Sequence, residues 1–238
     1  MTLAKSNSPL ALSVVSITEP DDVFATYERM RVFDERAFGF NHSNTLKALG
    51  YGLRGVLDPK AVATSYHKEH PRVLTCIQAL FALGKQNPIE TRLFSQFPNS
   101  GLRSVERIEW GPDISVRVKA VCWYIENGIP VIPLLQPRKA ELSDERMSVL
   151  LAIGRQAFCK GDWSNALIKA VDLSGDNPIA DARIVCSTEL PTASDDLVQK
   201  YVETFVAAKR KLSDKKASEP ASRELKPTPL EELLATTE

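Results

Sequence analysis

Asp113 follows Pro112 in a turn, and Gln136 and Arg138 flank Pro137 at the end of an apolar run. Their types are a carboxylate, a neutral amide and an arginine, which cannot give up a proton. The leading expectation is a protein with no cofactor and no resident metal.

Other chemistries find less support. His67 and His70 stand three apart, and Cys76 follows six residues later, but Pro71 interrupts the helix and only Glu69 lies near enough to join them. A structural zinc site takes about four well-placed ligands. Capping or solvent-facing roles are expected for these histidines and for His42. Cys76, Cys122, Cys159 and Cys186 are widely spaced, as buried small hydrophobes in a reducing compartment are. Gly50, Gly52 and Gly55 have no phosphate-loop spacing, so they serve close helix approach or a turn. No GxSxG nucleophile elbow occurs.

Binding is better served. Arg117 and Lys119 share one strand face, Trp123 lies beyond them, and Arg138 and Lys139 follow the hairpin, a basic-aromatic patch in outline. Residues 101–140 hold six basic side chains (Arg103, Arg107, Arg117, Lys119, Arg138, Lys139) against four acidic ones (Glu106, Glu109, Asp113, Glu126), a local net of +2. At the far end, Thr228-Pro229-Leu230-Glu231 has the form of a capping box. Leu230, Leu233 and Leu234 then line one side of a short helix suited to a groove on a partner protein.

The elements that must position these residues can be read from periodicity. Before residue 100 the pattern is helical. Pro20-Asp21-Asp22 precedes Val23, Phe24, Tyr27 and Met30 on one face, and Pro59 and Pro71 each fit a first turn. Val73, Leu74, Ile77, Leu80 and Phe81 follow at helical spacing, and a short helix is expected over 88–94. From Val105 the period becomes two. Strands are expected over 105–110 and 114–125, then a two-residue turn at Asn127-Gly128, then a partner strand over 129–135. Pro130 and Pro133 predict that this partner lies at an edge or ends early. Ser143 caps a helix, 166–173 reads as a buried central strand, 182–186 as a strand, and a last helix starts near Ser194.

The resulting fold class is α+β. A leader over 1–20, disordered or with a short strand at 12–17, precedes a helical segment (21–100). A small, largely antiparallel sheet backed by helices (101–212) and a flexible tail (213–238) follow. The order helix, strand, strand, strand, helix, strand over residues 88–173 is similar to the core of restriction-endonuclease-like nucleases. That resemblance implies an Asp on the second strand and a Glu/Gln-x-Lys on the third, the acids holding Mg²⁺ and the lysine positioning an attacking water. Asp113 and Gln136-Pro137-Arg138 stand at those places, with a neutral amide for the second acid and an arginine for the lysine, and catalysis by Asp113, Gln136 and Arg138 with Mg²⁺ is the alternative reading. The 238 residues carry 30 basic and 30 acidic side chains and 43% hydrophobic residues. This excludes a histone-like basic protein, a wholly disordered chain and a helical membrane span. A cytoplasmic, non-enzymatic binding or accessory protein is the leading expectation, acting on a protein partner through its sheet surface and tail. A nucleic-acid-acting nuclease relative is the alternative.

Overall fold

A computed structural model describes residues 8–35, 42–96, 103–110, 114–191 and 193–218. Five helices come first: α1 (Ala11–Ile17), α2 (Val23–Glu35), α3 (Ser43–Leu53), α4 (Pro59–Ser65) and α5 (Pro71–Gln86). The prolines sit where expected, in the first turns of α4 and α5. Asp58 accepts the Lys60 N–H at 2.8 Å and His70 Nδ1 accepts that of Arg72 at 3.2 Å. Then come β1 (Arg92–Leu93), β2 (Val105–Glu109), β3 (Ser115–Lys119), β4 (Cys122–Glu126) and β5 (Ile129–Gln136). The chain closes with α6 (Asp144–Phe158), β6 (Leu167–Asp172), α7 (Pro178–Asp181), β7 (Arg183–Cys186) and α8 (Asp195–Ser218).

The class is α+β, as the periodicity predicts. Five strands form a mixed sheet in the order β1-β4-β5-β6-β7, and β2 and β3 form a separate antiparallel pair. The β4–β5 hairpin turns at Asn127 (φ 52°) and Gly128 (φ 80°), the positive-φ pair a two-residue turn demands. From β5 the chain crosses through α6 and returns as β6, parallel to β5.

Alternation along the strands divides the core. Ile132, Leu134, Ile168 and Ala170 face α6, α8, α1 and the β2–β3 pair. Leu135, Val171, Leu173 and Cys122 face α3, α4 and α5. Both faces of the main sheet are therefore covered. The helical side is fastened by a close approach of backbone. A Cβ on Gly84 would collide with Gly52 O, and Gly55, at φ +63°, lies against the Gly84 carbonyl.

Four expectations need correction. The stretch expected as a leader holds a buried helix, because Ala11, Val14, Val15 and Ile17 complete the core. Its serines do not break it: Ser16 Oγ bonds back to Leu12 O at 2.6 Å, and Ser13 faces an arginine. No helix runs over 88–93, where Ile89 N–H bonds Leu53 O at 2.8 Å and Arg92, in β1, pairs with Trp123, and Phe94 only opens a 3-10 turn over Phe94–Gln96. The single strand expected over 114–125 is two strands in two sheets. Its break lies at Ala120, whose N–H goes to Ser104 O, and Val121, whose carbonyl takes the Phe94 N–H. Finally, β5 is central despite its prolines. Pro130 opposes Ile125 in the non-hydrogen-bonded pair of the hairpin, and pairing with β6 starts only at Val131. Pro133 points toward β4 beyond the last pair of that ladder, Tyr124↔Val131. Neither missing N–H is asked for.

The helix, strand, strand, strand, helix, strand order expected over 88–173 is not kept: β1 stands where its opening helix was expected, its second strand is divided, and β2 and β3 lie outside the five-stranded sheet. Among the described residues, no helix is long and apolar enough to cross a membrane.

Candidate functional site

The register of the β2–β3 pair places Arg107 directly opposite Arg117. Val105↔Lys119 and Glu109↔Ser115 are the other pairs on that face. On the reverse face Ile108↔Val116 and Glu106↔Val118 pack inward, with Val116 and Val118 buried in the core. The outward face thus shows Arg107, Arg117 and Lys119 together, with Glu109 the acid at one end. Arg107 and Lys119 are exposed and Arg117 is half-buried. Like charges directly opposite on paired strands repel. Arg117 is partly relieved because its Nε donates to Ser8 O at 2.7 Å and its backbone N–H to Pro9 O at 2.8 Å.

The rest of the expected patch does not join this face. Trp123 lies in β4, edge-on to Trp163 with ring centres 5.1 Å apart, and the Arg92 guanidinium stacks 5.2 Å over it. Arg138 and Lys139 follow β5, beyond the carboxyl end of the parallel pair. There Lys139 pairs with Asp176 at 2.5 Å. Arg138 donates to Ser13 Oγ at 2.8 Å and lies 5.6 Å over the Phe33 ring. Burial lowers the guanidinium's pKa.

Gln136, fully buried, stands beside Asp172 at the ends of β5 and β6. Its Nε2 donates to Ala140 O at 2.9 Å, and its Oε1 accepts the Arg138 N–H at 3.1 Å. The amide closes the turn after β5. Asp172 accepts from Ser174 N at 3.0 Å and from Arg183 Nη2 at 3.3 Å. Asp113, Leu230, Leu233 and Leu234 lie outside the described residues.

Around this end three further groups gather that periodicity did not single out as a site. Arg72, in the first turn of α5, donates through Nη1 to Gly175 O at 2.8 Å, and through Nη2 to Leu173 O at 2.5 Å and Pro137 O at 3.4 Å. His42 is pushed down to about 4, by burial first and then by the charges of Arg72, Arg138 and His70. Cys76 meets Pro137 O at 3.5 Å, and burial pushes its thiol up to about 11, so it is no thiolate at neutral pH. His67 is exposed with Nδ1 at 2.8 Å from Thr64 O, and His70 caps α5. Among the described residues no three His, Cys, Asp or Glu side chains gather as a metal site would need.

One missed feature was within reach of sequence reasoning. Two strand patterns placed evenly about position 112 in the sequence set 107 against 117. Arg72 gave no comparable signal, because its acceptors are carbonyls 65 to 103 residues away. No family model, curated protein or solved structure matches the chain.

Proposed function

We propose that the chain is a non-enzymatic binding protein that offers the outer face of the β2–β3 pair to a protein partner with an acidic surface. The observation that carries this reading is the Arg107–Arg117 opposition with Lys119 beside it. Such a pair destabilises an isolated sheet by roughly 0.2–1 kcal/mol. An acidic partner turns the same arrangement to advantage, through faster encounter and discrimination against cationic surfaces. The tail, through Leu230, Leu233 and Leu234, is a second contact in this proposal.

The state of Gln136 and Arg138 supports the non-enzymatic half. Both ends of the Gln136 amide are engaged within its own turn, and the Arg138 guanidinium reaches back to α1. Neither is set out to hold a metal or a water. Fluorescence anisotropy with a labelled polyglutamate peptide and a single-stranded oligonucleotide of equal charge tests the reading, alongside incubation of the oligonucleotide with Mg²⁺. Binding of polyglutamate that weakens as salt is raised, with no cleavage, is expected. Mg²⁺-dependent cleavage would establish the nucleic-acid-acting alternative instead.

A further inference from the structure

We infer that the loops beyond the carboxyl ends of β5 and β6 bind a phosphoryl group through Arg72 and Arg138, with His42 and His70 beside them. This goes beyond the β2–β3 surface and rests on different residues. Two parallel strands end on the same side of a sheet, so the loops that follow them start together there. Here those loops are the segments after Gln136 and after Asp172, and Arg72 gathers both through the carbonyls of Leu173, Gly175 and Pro137.

Two observations point to a missing anion. First, among the described residues Arg72 Nε is buried and has no hydrogen-bond partner. A buried N–H left without an acceptor is costly, and an oxygen brought to it relieves that cost. Second, Arg138 is half-buried and makes no ion pair, and neither does Arg72, among the described residues. Guanidiniums removed from water normally have a carboxylate beside them. The neighbouring acids make their pairs elsewhere: Asp172 with Arg183, Glu69 with Asn44 at 2.6 Å, and Asp176 with Lys139, the exposed Asp176 carboxylate feeling Arg72 only as a lesser influence.

His42 registers the same excess of positive charge, being held neutral at pH 7 by burial and by the cations around it. An anion between the arginines would reverse that pressure and favour its charged form. A phosphoryl group suits the donors better than a planar carboxylate. Its oxygens can meet two guanidiniums and an imidazole approaching from different elements.

The test uses inorganic phosphate, adenosine monophosphate and acetate at matched ionic strength, followed by calorimetry and by the ring resonances of His42 and His70. Saturable binding of phosphate, with His42 titrating at higher pH when it is bound, and no comparable effect of acetate, is expected. Tighter binding of the nucleotide would identify a nucleotide as the source of the group, and equal binding a free phosphate; either supports the site. Arg138→Gln should weaken phosphate binding about tenfold or more, Arg138→Lys less, and Ser13→Ala about twofold at most. If Arg138→Gln fails to fold, Arg138→Lys decides: unchanged affinity there contradicts the proposal. An unsaturable response to phosphate, or one shared with acetate, overturns it outright.

Discussion

Gln136 is fully buried, and its amide both donates to Ala140 O and accepts from the Arg138 N–H. Gln136→Ala strands both groups, and a loss of about 2–3 kcal/mol in urea denaturation is expected, with Arg138 displaced from Ser13. His42 governs acid behaviour. Its folded pKa, about 4, lies below the ordinary value of 6.5, so between these pH values the unfolded chain binds the extra proton. That share of stability is present in full above pH 6.5 and declines as pH falls toward 4. Thr45 Oγ1 lies 3.5 Å from its Nδ1, and the charges of Arg72, Arg138 and His70 act on the ring. His42→Gln should flatten the dependence of the unfolding midpoint on pH across that window. At the β4–β5 turn, a Cβ on Gly128 meets nothing within 4 Å, so the cost of Gly128→Val is conformational only. It should come to about 1–2 kcal/mol by urea denaturation. This turn was legible in the sequence because two adjacent residues determine it. The engagement of Gln136 was not, because its partners depend on the path of the following loop.

The buried helix α1 belongs to the element scale. Arg117, Arg138 and Arg146 all reach the segment that carries it: Arg117 at Ser8 O, Arg138 at Ser13 Oγ, and Arg146 at Ser16 O and Thr18 O at 2.9 and 3.0 Å. Arg146 also pairs with Glu19. Deleting residues 1–19 removes four buried apolar side chains and leaves three arginines short of acceptors. The expected loss of at least about 5 kcal/mol would unfold a domain of ordinary stability. Measuring soluble yield and the circular dichroism melt checks it, and a truncated chain melting like the full one would contradict it. Helices α5, α6 and α8 were legible from caps and spacing, because each buries one continuous face; α2 was placed by its start, but of its expected face only Tyr27 and Met30 are buried and Val23 and Phe24 are exposed. Helix α1 is too short for spacing to declare itself, and its serines read as interruptions until their partners are seen. The central place of β5 was hidden for a related reason. A proline forbids a strand interior only where the ladder asks for its N–H, and the register of both neighbours decides that.

On the scale of the whole molecule, charge and coverage determine what is left for a partner. The chain is formally neutral, so any electrostatic attraction must be local. The five-stranded sheet is buried on both faces, which removes it as a docking surface and leaves the outer face of the β2–β3 pair. The sequence showed Arg117 and Lys119 on that face but spread the patch too widely. Trp123, Arg138 and Lys139 belong to other surroundings once the strand over 114–125 divides between two sheets. The most direct measurement is the anisotropy of a labelled polyglutamate peptide titrated with the full chain and with the double variant Arg107→Glu, Lys119→Glu. Both positions are exposed, so the variant should fold with its melting temperature close to that of the parent. The expected result is loss of binding by about tenfold or more at low salt, with a flatter dependence on salt. Unchanged affinity in a folded double variant would contradict the assignment of this face.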